Sequence, residues 1–133
     1  MSFRAEIRLP LSRPSMHELG IAQSILDRMK EESMRHHGAR VTKVGVRIGE
    51  LSGVDPDSLS FGFEALSKET SLEGAALEID FRRRKQRCRG CGREFETDAM
   101  LTACPDCGSL HTICIAGDEL DIVFIELEDA ACA

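Results

Sequence analysis

The spacing of hydrophobic residues changes along the chain, and each change predicts a different element. From Leu19 onward, apolar residues recur three and four positions apart, which is the period of an amphipathic helix. They are Leu19, Ile21, Ala22, Ile25, Leu26 and Met29. The helix is predicted to begin within Ser15–Glu18, which fits a capping box, and to end at His36–Gly38, where a glycine follows two histidines.

Three stretches alternate apolar and polar residues, which is the period of a half-buried strand. They are Val41–Ile48, Leu77–Phe81 and Leu120–Leu127. In the third stretch the alternation changes phase at Val123 and Phe124, which predicts a β-bulge or burial on both faces. Between the first two strands, Asp55 and Pro56 predict the start of a second helix, with Asp55 as its N-cap.

Four cysteines form two Cys-x2-Cys pairs with twelve residues between them. They are Cys88, Cys91, Cys104 and Cys107. This spacing is typical of a tetrahedral zinc site, and the glycine after each second cysteine (Gly92 and Gly108) supports the positive φ of such a turn. Four thiolates leave no open position on the metal, so the site is predicted to be structural. Two disulfides or a thioredoxin-type redox pair are the alternatives, and the spacing favours zinc over both.

These elements together predict an α+β fold, with two helices covering one face of a small three-stranded sheet. The predicted zinc-ribbon lobe, residues 82–117, is inserted between two strands of that sheet. Residues 16–81 and 118–128 make up the α+β lobe. Residues 1–15 and 129–133 are predicted to be terminal tails.

The composition places the chain among globular proteins. Its 133 residues are enough for one domain with a modest core, and 42% of them are hydrophobic and 30% charged. No run approaches the roughly 18 apolar residues of a membrane span, and the first fifteen residues lack the apolar region of a signal peptide. A cytoplasmic location is therefore predicted. The net charge of −6 argues against general nucleic-acid binding.

One basic cluster departs from the acidic balance. It consists of Arg82, Arg83, Arg84, Lys85, Arg87, Arg89 and Arg93, and it leads into the cysteine pairs. These charges can offset an anionic metal centre and solvate a linker, which is the favoured interpretation. The alternative is a zinc-ribbon module that binds nucleic acid or protein through the stretch Arg82–Arg93, with an affinity that falls steeply with salt.

His17 carries a second kind of metal chemistry. A histidine in the second position after an amino terminus offers the terminal amine, its own backbone nitrogen and its imidazole, three nitrogens that lie in a plane. Square-planar nitrogen ligation suits Ni(II) or Cu(II). The argument applies only if the protein begins at Met16.

Several motifs together resemble the HypA/HybF family of hydrogenase-maturation nickel metallochaperones. They are Met16-His-Glu-Leu-Gly-Ile-Ala-Gln-Ser-Ile-Leu, Ile48-Gly-Glu-Leu-Ser-Gly-Val-Asp-Pro, the two cysteine pairs and Ala116-Gly-Asp-Glu-Leu. The resemblance covers Met16 to about Glu128 in the order of the family. It implies a small α+β protein with a nickel lobe and a zinc-ribbon lobe, which delivers nickel to the large subunit of [NiFe] hydrogenase together with a maturation GTPase. Some members also serve urease, so urease accessory proteins are further expected partners.

The resemblance also implies the metal ligands. His17 would be the principal Ni(II) ligand, with its own backbone nitrogen and that of Met16, and Glu18 and Asp55 match positions at or beside the nickel. The four cysteines would hold a structural Zn(II). One departure is that fifteen residues precede the methionine that opens the family. We therefore predict that Met16 is the true start, or that the preceding segment is removed or moves aside.

Each of these residues has a structural alternative. Glu18 fits a capping box and Asp55 an N-cap, so either carboxylate can be explained by the start of a helix. Met34 is predicted to pack in the core, and Cys114 to be a buried strand residue.

A zinc hydrolase or deaminase is excluded because the His-x-Glu motif is absent and four cysteine sulfurs occupy all the coordination positions of the metal. The chain is therefore predicted to be a metal carrier and not an enzyme.

Overall fold

The computed structural model describes residues 2–11, 18–97 and 103–129. The described helices are α1 (Glu18–Arg35) and α2 (Pro56–Ser67), with a short 3₁₀ turn at Glu50–Ser52. The strands are β1 (Ser2–Pro10), β2 (Arg40–Gly49), β3 (Ala76–Arg82), β4 (Lys85–Cys88), β5 (Glu94–Glu96), β6 (Thr112–Ala116) and β7 (Leu120–Glu128). Within these ranges, no helix is both long and apolar enough to span a bilayer.

The strands form two sheets. The main sheet has the order β1-β7-β2-β3, and the smaller sheet has the order β5-β4-β6. In the main sheet β2 and β3 run parallel, because α2 carries the chain from one to the other, and β7 is antiparallel to both β1 and β2. The smaller sheet is inserted between β3 and β7. The predicted α+β fold with an inserted cysteine lobe is therefore confirmed.

Both helices pack on the same face of the main sheet. The buried cluster combines residues of α1, α2, β2 and β7, including Ile25, Leu59, Val46 and Ile122, all of which are fully buried. Alternate residues of β2 enter this core, as the period-two pattern predicted. Helix α1 ends where predicted, since Gly38 has a φ of 80° and its N–H donates to the Ser33 carbonyl at 2.9 Å.

The predicted bulge lies in β7. Gly45 of β2 pairs with Phe124 while Val46 pairs with Ile122, so Val123 is the extra residue. The bulge sends Ile122 into the core and turns Phe124 to the opposite face of the sheet. There the Phe124 ring covers Gly45, because a Cβ built on Gly45 would lie 2.0 Å from Phe124 Cε1.

The prediction that residues 1–15 form an irregular tail is wrong for residues 2–11. Residues 2–10 form the edge strand β1, which pairs with β7 and makes the main sheet four-stranded instead of three-stranded. Arg4 donates to the Glu126 carboxylate at 3.0 Å, and its guanidinium lies 3.9 Å from the centroid of the Phe124 ring. Leu11 is buried in the main core. The sequence carried the signal, since the alternation of apolar and charged residues across 3–9 has a period of two.

Three further residues differ from their predicted environments. Met34 is 78% exposed because it lies on the solvent side of α1, and Leu19 is 56% exposed at the start of that helix. Cys114 is exposed on β6, and its thiol donates to the carbonyl of Ala116 at 3.1 Å. Met29, on the core side of α1, is fully buried as predicted.

Candidate metal centres

The inserted lobe brings the four predicted cysteines together. Their Sγ atoms all lie within 4.8 Å of one another, and the separations between Cys88 and Cys107 and between Cys91 and Cys104 are both 3.5 Å. Four sulfurs around a tetrahedral zinc, each about 2.3 Å from the metal, would be about 3.8 Å apart. The cysteine side chains therefore fit a zinc ion with little rearrangement. Among the described residues, no other group of side chains is so arranged.

Each cysteine pair lies on a tight turn that directs backbone N–H groups at sulfur. The N–H groups of Gly90 and Cys91 point at Cys88 Sγ at 3.3 and 3.5 Å. The N–H of Gly92 donates to the Cys88 carbonyl at 2.9 Å, and Gly92 has the predicted positive φ of 80°. Gly108 closes the second turn in the same way, donating to the Cys104 carbonyl at 2.8 Å with a φ of 74°.

Each turn favours, at its first cysteine, the thiolate form that a metal needs. The backbone N–H of Cys91 is the main cause that lowers the pKa of the Cys88 thiol to about 6. The backbone N–H of Cys107 likewise lowers the pKa of the Cys104 thiol. These two cysteines are buried, whereas Cys91 and Cys107 are exposed. Hydrogen bonds to Cys104 and Cys88 raise the pKa values of the exposed Cys91 and Cys107 thiols, so the lobe supplies two stabilised thiolates on its inner side and two thiols toward solvent.

The two acidic residues predicted beside nickel are in contact with each other. Glu18 opens α1 and Asp55 caps α2, and the Asp55 backbone N–H donates to Glu18 Oε1 at 3.3 Å. Met16 and His17, the other two predicted nickel ligands, lie outside the described residues, as does Ser15 of the predicted capping box.

Asp55 also has the structural role that its sequence context predicted. Its Oδ2 atom accepts hydrogen bonds from the Ser58 backbone N–H at 3.1 Å and from the Ser58 hydroxyl at 2.6 Å. Pro56 occupies the first helical position. The bond from the Ser58 hydroxyl is the main cause that lowers the pKa of the Asp55 carboxyl, so this group is an anion over the whole physiological range.

The basic cluster is largely paired with carboxylates of the same chain. Arg82 lies 3.0 Å from Asp80, Arg93 lies 2.6 Å from Asp106, and Lys85 and Arg87 share Glu94 at 3.7 and 3.5 Å. A nucleic-acid surface needs cations that can reach phosphates without first breaking such pairs. The pairing therefore favours the structural interpretation of the cluster over the nucleic-acid alternative.

Sequence reasoning gave no role to Glu50, although the structure gives its carboxylate a specific partner. Glu50 Oε2 accepts a hydrogen bond from the backbone N–H of Arg84 at 2.8 Å, across 34 positions of sequence. The contact lies where the main sheet meets the cysteine lobe. A glutamate in a loop between glycines gives no local indication of such a distant backbone partner.

Sequence comparison relates the chain to proteins called hydrogenase maturation factor HypA, and two of them serve as examples. The one from Alkalilimnicola ehrlichii is 40% identical over 113 residues, and the one from Solidesulfovibrio magneticus is 42% identical over 118 residues. In each case the match covers 85% of this chain and 100% of the relative.

Solved structures give the same relationship. The solution structure of the Ni metallochaperone HypA from Helicobacter pylori matches with a TM-score of 0.57 and 25% identity, over 86% of this chain and 99% of that one. A second HypA solution structure matches with a TM-score of 0.61 and 27% identity, over 88% and 98%.

The family assignment rests on most of the chain. The sequence model for "Hydrogenase/urease nickel incorporation, metallochaperone, hypA" matches residues 16–127, which include α1, both cysteine pairs and most of β7. The match begins at Met16, so β1 lies outside the part shared with the family model. The chain therefore belongs to the HypA family of nickel metallochaperones.

Proposed function

We propose that this protein binds Ni(II) at the N-terminal end of α1 and helps to insert it into the large subunit of [NiFe] hydrogenase. The proposed ligands are the imidazole and backbone nitrogen of His17 and the backbone nitrogen of Met16, with Glu18 and Asp55 beside them. Planar nitrogen ligation suits Ni(II) better than Zn(II), which prefers a tetrahedron. A carrier must also release its ion, and a site at the exposed end of a helix favours exchange.

The observation that carries the proposal is the hydrogen bond from the Asp55 N–H to Glu18 Oε1. His17 is covalently next to Glu18, so this bond brings the start of α2 close to the residue that follows the proposed ligand. Two carboxylates at this position add negative charge near a divalent cation. The Asp55 carboxyl stays ionised because its pKa is lowered by the Ser58 hydroxyl.

We assign the second metal, Zn(II), a structural role in the inserted lobe. All four tetrahedral positions would be taken by cysteine sulfur, so neither water nor substrate could bind the ion. The zinc would hold two turns together in a lobe whose strands are only three to five residues long.

With this division of roles between the two metals, the protein would act as a cytoplasmic carrier and not as an enzyme, and a maturation GTPase would supply nucleotide hydrolysis. Urease maturation is a second route for the same cargo.

Nickel titration of zinc-loaded protein tests the proposal. Two chains are compared, one beginning at Met1 and one at Met16, because the Met16 nitrogen is an amide in the first and an amine in the second. We expect tighter Ni(II) binding by the shorter chain, and loss of that binding when His17→Ala is introduced into it. The matched control is His37→Ala, since His37 is an exposed histidine at the opposite end of α1. Unchanged nickel uptake by the His17→Ala chain would contradict the proposal.

A further inference from the structure

The chain passes between the main sheet and the cysteine lobe twice, and both passages meet the same short segment. Residues 83–84 connect β3 to β4, and residues 117–119 connect β6 to β7. Both connections contact the segment 49–51, where β2 runs into the 3₁₀ turn. The N–H of Gly49 donates to the Glu119 carbonyl at 2.7 Å, and the N–H of Leu51 donates to the Gly117 carbonyl at 2.6 Å.

Two glycines let these backbones approach more closely than other residues would allow. A Cβ on Gly49 would lie 2.1 Å from the Gly117 carbonyl oxygen, and a Cβ on Gly117 would lie 2.7 Å from the Arg84 Cα. Gly117 also has a φ of 111°, which L side chains rarely adopt. Since the opposing atoms are backbone, they cannot move aside by a change of rotamer. The three segments therefore meet as a close backbone crossing.

The Glu50 side chain adds a bond that joins residues 83–84 to the segment 49–51. Its carboxylate accepts from the Arg84 N–H at 2.8 Å, and a hydrogen bond to an ionised acceptor is about twice as strong as a neutral one. The Glu119 carboxylate acts only within its own connection, since its Oε1 accepts from the Gly117 N–H at 2.7 Å. The first passage is thus joined to the segment 49–51 by the Glu50 side chain, and the second by the backbone bonds of Gly49 and Leu51.

A short stretch of chain connects the crossing to Asp55, which we place beside the proposed nickel site. Only three residues separate Leu51 from Asp55, and two of them, Ser52 and Val54, are buried. The N–H of Val54 donates to the Ser52 hydroxyl at 3.2 Å, which stiffens this stretch. Asp55 then bonds to Glu18. A short path, in which buried and exposed residues alternate, therefore runs from the crossing to the start of α1.

We propose that Glu50 is a positioning residue that fixes the cysteine lobe in one orientation relative to the segment bearing Glu18 and Asp55. The inference deepens the proposed function, on which it rests, because it concerns how the two metal-binding regions are held together. The Glu50 carboxylate acts by accepting the Arg84 N–H. The two lobes consequently present a single surface to any partner that touches both.

The experiment measures the relative orientation of the lobes in full-length, zinc-loaded protein. Backbone residual dipolar couplings are collected for the main sheet and the cysteine lobe, together with hydrogen exchange at the Arg84 amide. The variants are Glu50→Ala and Glu50→Gln, since glutamine keeps an oxygen that can accept the same bond. Glu64→Ala, an exposed glutamate on α2, is the matched control. Nickel titration of each protein follows.

In the wild type, the control and Glu50→Gln, we expect one alignment tensor to fit both lobes. In Glu50→Ala we expect two different tensors, about tenfold faster exchange of the Arg84 amide, and weaker Ni(II) binding with zinc content unchanged. A single tensor with unchanged Arg84 exchange in Glu50→Ala would overturn the inference. Failure of the chain that begins at Met16 to bind nickel would instead overturn the proposed function. This outcome is separate, because the couplings are measured without nickel.

Discussion

The backbone N–H of Asp55 donates to the carboxylate of Glu18 at 3.3 Å, and this bond joins the N-terminal ends of the two helices. Both ends carry positive partial charge from unpaired N–H groups. The two carboxylates compensate this charge, and the same arrangement would favour a cation beside them. Helix capping and nickel binding are therefore compatible roles for Glu18 and Asp55.

The Asp55 cap predicts a specific pH dependence of stability. The Ser58 hydroxyl lowers the pKa of the folded Asp55 carboxyl below its ordinary value of 3.8. A lowered folded pKa adds stability above the unfolded pKa, and that stability is lost as the pH falls through the folded pKa. We expect Asp55→Asn to be less stable than the wild type near neutral pH, with the difference shrinking below about pH 4. Urea unfolding of both proteins over a pH series measures this difference.

Any zinc release at low pH should affect both proteins in that series equally. The difference between their unfolding free energies therefore reports the effect of the Asp55 carboxylate alone. The matched control is Asp57→Asn, which changes an exposed aspartate of the same helical turn. A stability difference between wild type and Asp55→Asn that stays constant from neutral to acidic pH would contradict the prediction.

The cysteine lobe should depend on its metal. We expect one zinc per chain, bound by Cys88, Cys91, Cys104 and Cys107, and loss of that zinc in Cys88→Ser. Chelation should unfold the lobe while α1 and the main sheet stay protected, because the main core contains no cysteine lobe residue. Metal analysis and hydrogen exchange measure the two effects. Cys114→Ser is the control, since that exposed thiol lies outside the four-sulfur group, and zinc loss in this variant would contradict the assignment.

Leu11, the residue that follows β1, should contribute to stability. This side chain is only 6% exposed and packs into the main core. We expect Leu11→Ala to lower the free energy of unfolding by about 2 kcal/mol, the lower end of the range for buried leucines. Leu110→Ala, at a leucine that is 64% exposed, should change the free energy of unfolding little. Equal losses in the two variants would show that β1 is not docked on β7 in solution.

The contact between Gly45 and Phe124 should make Gly45 intolerant of a side chain. A Cβ on Gly45 would lie 2.0 Å from Phe124 Cε1, so the ring would have to leave its position under Arg4. We expect Gly45→Ala to cost about 1–3 kcal/mol of unfolding free energy, measured by chemical denaturation.

Gly62→Ala is the contrasting variant. Gly62 lies within α2, and the one close contact of an added Cβ would be with the end of the flexible, exposed Leu19 side chain at 3.1 Å. The Ala22 Cβ and the Leu19 Cα would lie at an ordinary 3.8 Å. Alanine also has the higher helix propensity, so we expect this change to be neutral or stabilising by up to about 1 kcal/mol. A loss comparable to that of Gly45→Ala would contradict both predictions.

Much of the fold followed from local patterns. The period of the apolar residues predicted α1, the core strand β2 and the phase change at Val123 and Phe124, because burial of one face imposes a fixed spacing. The Asp55–Pro56 pair predicted the start of α2, since an N-cap and a first-turn proline need only their own neighbours. The same local rule applies to residues 3–9, whose alternation of apolar and charged residues matches the period of β1.

The sequence by itself determined the cysteine site, because two short Cys-x2-Cys turns can direct sulfur at one metal whatever surrounds them. It also determined the candidates Met16, His17, Glu18 and Asp55, although not their proximity. Only the tertiary structure decided that Glu18 contacts Asp55 and that Glu50 accepts from Arg84, 37 and 34 positions apart in sequence. The physical reason is that such contacts depend on how helices and strands pack against one another. The residues next to a given position in sequence do not show which distant residues packing will bring near it.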